Sequence, residues 1–101
     1  MFSVKTNIQQ YDTFGQFAEA YKLDADDLVI TQSFIYEPYM KPLGLKCHFV
    51  MQEKYGAGEP SDEMIQHIMD DLRRVAYKRV VAVGGGTVID ISKLFALGTL
   101  L

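Results

Sequence analysis

Apolar residues along this chain come in short runs separated by polar breaks, and the runs alternate between helical and strand-like spacing. Phe2 and Val4 alternate with polar neighbours, a strand signal. Phe14, Phe17, Ala18 and Tyr21 recur at helical spacing behind Thr13 and Gln16, the two ends of a capping box. That predicts a helix near 13–22. Asp24 to Asp27 breaks the pattern, and Leu28 to Thr31 reads as a short buried strand. From Phe34 to Leu45 the spacing is again helical but interrupted by Pro38 and Pro42, so a short helix with a proline-marked boundary is expected. Leu45 to Met51 reads as a second strand.

Gln52 to Pro60 holds Gly56, Gly58 and Pro60 and is expected to be a loop. Ser61 is a good N-cap, and Asp62 and Glu63 follow where the helix dipole favours acids. Met64, Ile65, Ile68, Met69, Leu72, Val75 and Ala76 then trace one face, which predicts a helix over 62–76 closed by Arg73, Arg74 and Lys78. Val80 to Val83 has the near-continuous apolar character of a parallel strand covered on both faces. The apolar segment 88–97 reads as a last helix. Strands alternating with helices at this spacing give an α/β fold: a Rossmann-like parallel sheet with flanking helices. Ligands in such folds sit at the carboxyl ends of the strands. Those ends, Thr31-Gln32-Ser33, Gln52 onward and Gly84-Gly85-Gly86, are all polar or turn-like and should cluster along one edge.

Composition narrows the picture without changing it. The chain has 101 residues, 49% hydrophobic and 23% charged, with a formal net charge of −3. No basic cluster offers a footprint for nucleic acid, and no apolar run reaches the roughly 18 residues a membrane span needs. The N-terminus lacks a basic segment followed by an apolar stretch, so no secretory signal is visible. A single cysteine, Cys47, excludes an internal disulfide framework and fits a reducing cytoplasm. With only His48 and His67 as histidines, a self-contained metal site is not expected. An apolar final helix needs cover on most of its surface, so residues 1–101 are read as the front part of a longer protein.

The candidate chemistry concentrates in Gly84-Gly85-Gly86-Thr87. It is neither the Gly-x-Gly-x-x-Gly fingerprint nor a phosphate loop ending in Gly-Lys-Ser/Thr. One reading is a backbone cradle for a pyrophosphate, with the Thr87 hydroxyl adding a donor. The other is a tight strand-to-helix turn that Thr87 caps. Three successive glycines are costly in chain entropy, which favours the cradle. Asp90 and Lys93 have ion-pair spacing, and Thr87 with Asp90 fits a capping box, so structural and ligand-side roles stay open for both. His67, His48, Cys47 and the Met64/Met69 pair read as structural: helix surface, strand and core.

Val83 to Lys93 (Val-Gly-Gly-Gly-Thr-Val-Ile-Asp-Ile-Ser-Lys) resembles the Gly-Gly-Gly-Ser-x-x-Asp-x-x-Lys loop of the iron-containing (group III) alcohol dehydrogenase family. Within that family, Gln52 to Ile65 is similar to the NAD-dependent 4-hydroxybutyrate dehydrogenases. The resemblance implies a two-domain enzyme whose helical C-terminal domain, absent from these residues, holds Fe2+ or Zn2+ through an Asp and three His. Residues 1–101 would be a truncated N-terminal NAD-binding domain, inactive alone. It implies that Gly85, Gly86 and Thr87 contact the NAD pyrophosphate beside Val88, and that Asp90 and Lys93 lie on the cofactor side, Asp90 near the nicotinamide. Glu59 falls where many members carry an Asn near the cofactor. Gln32 falls where many carry an Asp that holds the adenosine ribose and disfavours a 2′-phosphate, so NADP stays open. The implied reaction oxidises a small alcohol to its aldehyde, in a cytoplasmic homo-oligomer. Two rivals stand beside it: a dehydroquinate synthase-like NAD and metal enzyme, and a stand-alone nucleotide-binding module.

Overall fold

A computed structural model describes residues 10–56 and 61–96. The strand expected around Phe2 and Val4, and Glu59, lie outside the described residues. Seven principal elements alternate: α1 (Phe14–Tyr21), β1 (Asp27–Thr31), α2 (Ser33–Tyr39), β2 (His48–Met51), α3 (Asp62–Asp71), β3 (Arg79–Ala82) and α4 (Gly86–Ala96). Short 3-10 turns at Lys41–Leu43 and Gln52–Tyr55 join α2 to β2 and follow β2. The three strands form one parallel sheet in the order β2-β1-β3, with Leu28 opposite both His48 and Val80. The α/β expectation is met.

Side chains of β1 leave alternately to two layers. Leu28 and Ile30 pack with Val50 of β2 and with Met64, Ile68, Val88, Ile91 and Phe95, the inner faces of α3 and α4. Val29 points the other way, to Met40 and Cys47 with Phe14, Ile35 and Tyr36 from α1 and α2 beside them. Every residue of β1 is buried, because it has a strand on each side and helices on both faces. Each large side chain so placed contributes about 1.5–3 kcal/mol of transfer free energy.

β3 corrects the expectation of a fully covered strand. It is the outer strand, its ends Arg79 and Ala82 are exposed and Val80 and Val81 are half-buried. A groove of about 510 Å³ runs along its outer edge beside Phe17, Tyr21 and Leu23. Its apolar run is explained by the sheet faces alone: Val80 joins the α3/α4 layer and Val81 the α1/α2 layer.

Element ends show where local chemistry decides. Thr13 caps α1, its Oγ1 accepting the Gln16 N–H at 3.1 Å. The returning arm of the expected capping box lands one residue early, since the Gln16 carboxamide oxygen accepts from the Asp12 N–H. Pro38 is tolerated inside α2, near its end, and Pro42 sits in the following 3-10 turn. Ser61 caps α3 as expected, accepting the Met64 N–H at 3.1 Å.

α3 then stops at Asp71, five residues before the periodicity does. The chain has to turn back here to start β3: Val75 N–H donates to the Leu72 carbonyl, and Lys78 N–H reaches the Asp26 carbonyl at 2.6 Å. Arg73, Arg74 and Lys78 therefore lie beyond the helix. Met69 is 41% exposed, so only Met64 of the methionine pair belongs to the core. His67 is on the helix surface, as expected. Cys47 is buried, and that burial pushes its thiol pKa up. No helix of the described residues is long and apolar enough to cross a membrane.

Candidate functional site

The carboxyl ends of the three strands meet on one edge and are tied to one another by side chains. Thr31, last residue of β1 and fully buried, donates its hydroxyl to the Val83 carbonyl at 2.7 Å. Val83 N–H in turn donates to the Ile30 carbonyl at 3.0 Å. These two bonds hold the chain that leads out of β3 against β1. Ser33, first residue of α2, gives both its N–H (2.7 Å) and its hydroxyl (2.9 Å) to the Glu53 carboxylate. A carboxylate from the turn after β2 thus caps α2, a favourable place for negative charge. Gln32 occupies the N-cap position but makes no cap bond itself. Its side-chain amide donates instead to the Gln52 oxygen at 3.4 Å.

Gly84 makes the turn from β3 into α4 at φ +155°, a conformation that side chains strongly disfavour. A Cβ there would stand 3.0 Å from Val88 Cγ2 and 3.4 Å from Gln32 Oε1. Gly85 and Gly86 are different. A Cβ on either would meet nothing within 4 Å, so open space lies in front of both. α4 begins at Gly86, and the N–H groups of a helix's first turn face outward without acceptors inside the helix. Bare glycine backbone, outward N–H groups and the positive end of the helix dipole suit a phosphate. The residues present therefore fit the nucleotide that the sequence implied.

The expected site residues separate in space. Gln32, Gly85, Gly86 and Thr87 stand at this edge. Thr87 lies inside the first turn of α4, not at its N-cap, because the helix starts at Gly86, two residues earlier than a cap there requires. Val88 is wholly buried beneath Gly84, so it can offer a ligand only backbone. Asp90 and Lys93 are exposed on α4, and no ion pair joins them. The ion-pair spacing of the two is not used: α4 covers the sheet with Val88, Ile91, Ser92 and Phe95, which leaves 90 and 93 facing outward. Lys93 lines a shallow groove with Val80, Ala82 and Ile89 on the open side of β3. The polar Ser92 is satisfied within the helix, donating to the Val88 carbonyl at 2.8 Å.

Thr31, Ser33, Gln52 and Glu53 fall in the strand ends expected to cluster here, but the sequence assigned none of them an individual role. The signal was present, since each is a polar residue within two positions of a strand's last residue. Their effect is positional. Thr31→Val keeps the shape and removes one buried donor, leaving the Val83 carbonyl without it. The expected cost is about 1–2 kcal/mol, read as a lowered denaturation midpoint, with Thr31→Ser restoring most of it.

Among the described residues no group of three His, Cys, Asp or Glu side chains could hold a metal ion. The metal implied by the resemblance does not fit these residues.

A parallel sheet with helices on both faces, and a glycine-led strand-to-helix turn at its carboxyl edge, defines an α/β protein of the Rossmann-like kind. Comparison narrows that class. The model of the iron-containing alcohol dehydrogenase family matches residues 5–100, and the chain belongs to that family. A 4-hydroxybutyrate dehydrogenase of Clostridium kluyveri is 39% identical over 97 residues, covering 96% of this chain and 26% of that protein. The chain thus spans about a quarter of the length of the curated relative it matches.

Proposed function

We propose that this chain is the nucleotide-binding portion of an NAD-dependent, metal-containing alcohol dehydrogenase that interconverts 4-hydroxybutyrate and succinate semialdehyde. Support for the substrate comes from the 39% identity to the Clostridium kluyveri protein of that name. The observation that carries the site is the open space before Gly85 and Gly86 at the start of α4. In this reading the pyrophosphate lies against that backbone, with Thr87 beside it. Gln32 faces the adenosine end, and Asp90 lies on the side of the nicotinamide. When bound, NAD would supply the two-electron acceptor for the hydride of the alcohol, the balance being alcohol and NAD to aldehyde, NADH and H+. This chain's part is to bind and orient. The metal ligands belong to residues outside it, and the 101 residues alone have no turnover. The lone buried Cys47 suits a reducing compartment, and the reading puts the protein in the cytoplasm.

Gly85→Ala is the direct test. The added methyl enters the ligand's space and no protein atom, so the melting temperature should hold while the affinity for NAD falls about tenfold or more. Calorimetric titration with NAD, in the protein that carries these residues, reads the outcome. Undiminished NAD binding in this variant would remove the turn from the site.

A further inference from the structure

We propose that Thr31 is a positioning residue for the glycine turn: its hydroxyl fixes Val83 where the backbone ladder between β1 and β3 runs out, and so sets the direction in which Gly85 and Gly86 meet a bound nucleotide. The inference rests on the reading of that turn as a nucleotide site, and adds the group that holds it in place.

Parallel pairing shows what Thr31 replaces. In a parallel ladder a residue gives its N–H to the residue before its partner and takes the N–H of the residue after it. Ile30 stands opposite Ala82, so Val83 continues the register opposite Thr31. Its N–H keeps to the pattern, donating to the Ile30 carbonyl at 3.0 Å. Its carbonyl does not, since the donor is the Thr31 hydroxyl at 2.7 Å and not the Gln32 N–H. Gln32 is already the N-cap of α2, where the chain leaves the sheet. A side chain has taken the last rung of the ladder.

That rung lies where the two strands part. α2 leaves β1 toward the layer of Val29, with Ile35 and Tyr36. α4 leaves β3 toward the layer of Leu28 and Ile30, with Val88 and Ile91. Connections departing to opposite faces open the crevice in which such folds hold their ligands. Thr31 bridges its floor. The turn above cannot hold itself, because Gly84, Gly85 and Gly86 have no side chains to pack and the widest backbone freedom of any residue. Its direction is set from its two ends. Val88 and Ile91, both fully buried, fix the far end through α4. Val83 fixes the near end, gripped at both its N–H and its carbonyl. Thr31 is itself fully buried, so its hydroxyl reaches no ligand and acts through Val83 alone. Two heavy atoms on its Cβ also restrict its rotamer, which keeps the hydroxyl in place.

Calorimetric titration with NAD, in the protein that carries these residues, tests this. Thr31→Val should weaken NAD binding about tenfold, and Thr31→Ser should bind within about twofold of the unaltered protein. Ile68→Val controls for stability alone. It trims a fully buried side chain of α3, lowers the denaturation midpoint and should leave the NAD affinity unchanged. Where Thr31→Val fails to fold, amide hydrogen exchange in the unaltered protein reads the same coupling. Saturating NAD should slow exchange of the Val83 N–H more than that of the Arg79 N–H at the other end of the strand. NAD bound as tightly by Thr31→Val as by the unaltered protein would overturn the inference. So would an equal loss of affinity in Ile68→Val, or equal slowing at Val83 and Arg79. An unaltered protein that binds no NAD would instead overturn the reading of the turn as a nucleotide site.

Discussion

Gly84→Ala should cost about 3 kcal/mol of stability and abolish nucleotide binding. Two terms combine. At φ +155° any L side chain is strained, and the new Cβ would lie 3.0 and 3.2 Å from the Cγ2 and Cβ of Val88. Val88 cannot yield easily, because it is wholly buried in the layer formed with Leu28, Ile30 and Ile91. Relief would have to come from moving the start of α4, which displaces the N–H groups proposed to hold the ligand. Chemical denaturation and NAD titration of the same variant read both effects. Paired with Gly85→Ala, the measurement separates fold from ligand: the first substitution should lose both, the second only binding. A Gly84→Ala protein of unaltered stability would sink the account of this turn.

The second large effect is expected at the opposite end of the sheet. Asp27 is fully buried and accepts from Arg79 Nε at 2.6 Å, from Arg79 Nη2 at 2.9 Å and from the Asp24 N–H at 2.8 Å. Arg79 also donates to the Tyr21 carbonyl at 2.9 Å, so one guanidinium joins β1, β3 and the end of α1. Asp27→Ala should cost about 2 kcal/mol. That is the lower part of the range for charged hydrogen bonds, because 46% of the Arg79 side chain is open to screening water.

The Arg79 hydrogen bonds hold the Asp27 carboxyl pKa below its ordinary value, against the opposing effect of burial. A depressed carboxylate pKa means that the unfolded chain takes up the proton first. The stabilisation is therefore complete above the ordinary value of about 4 and is lost as pH falls through the folded one. Urea midpoints taken between pH 7 and pH 3 should fall less steeply for Asp27→Asn than for the parent chain. Equal slopes would show that Asp27 does not contribute to acid sensitivity.

Much of this architecture is legible in the chain because local chemistry and tertiary demand agree. Ser61 with Asp62 and Glu63 marks the start of α3 correctly, since a cap is satisfied by its own neighbours. The end of α3 is not marked locally: the apolar face runs on past Asp71, but the return to β3 claims those residues. Leu28-Val29-Ile30 and Val80-Val81 look alike as sequence and differ in burial, because sheet order is set by distant pairings that composition does not encode. Glycine content marked the strand-to-helix turn that the structure contains, whereas the ion-pair spacing of Asp90 and Lys93 is not used, because both face outward from a helix whose apolar side covers the sheet. The Gln32–Gln52 contact joins residues twenty positions apart, and no spacing rule reports it. Each partner is nonetheless visible as a polar residue at a strand end.

The ties between Asp27 and Arg79, and between Thr31 and Val83, each span 52 residues and lie at the two ends of the same strand pair. The central strand is thus made early and completed late. At cellular rates of synthesis, about 3–10 s separate the emergence of β1 from that of its second neighbour. During that interval β2 and the helices α1 to α3 can cover it, but one hydrogen-bonding edge of an apolar strand stays open. The Asp27–Arg79 pair is met only when Arg79 stands opposite Asp27, so it favours one register of β3, which suits a strand that must recognise its late partner in competition with other chains.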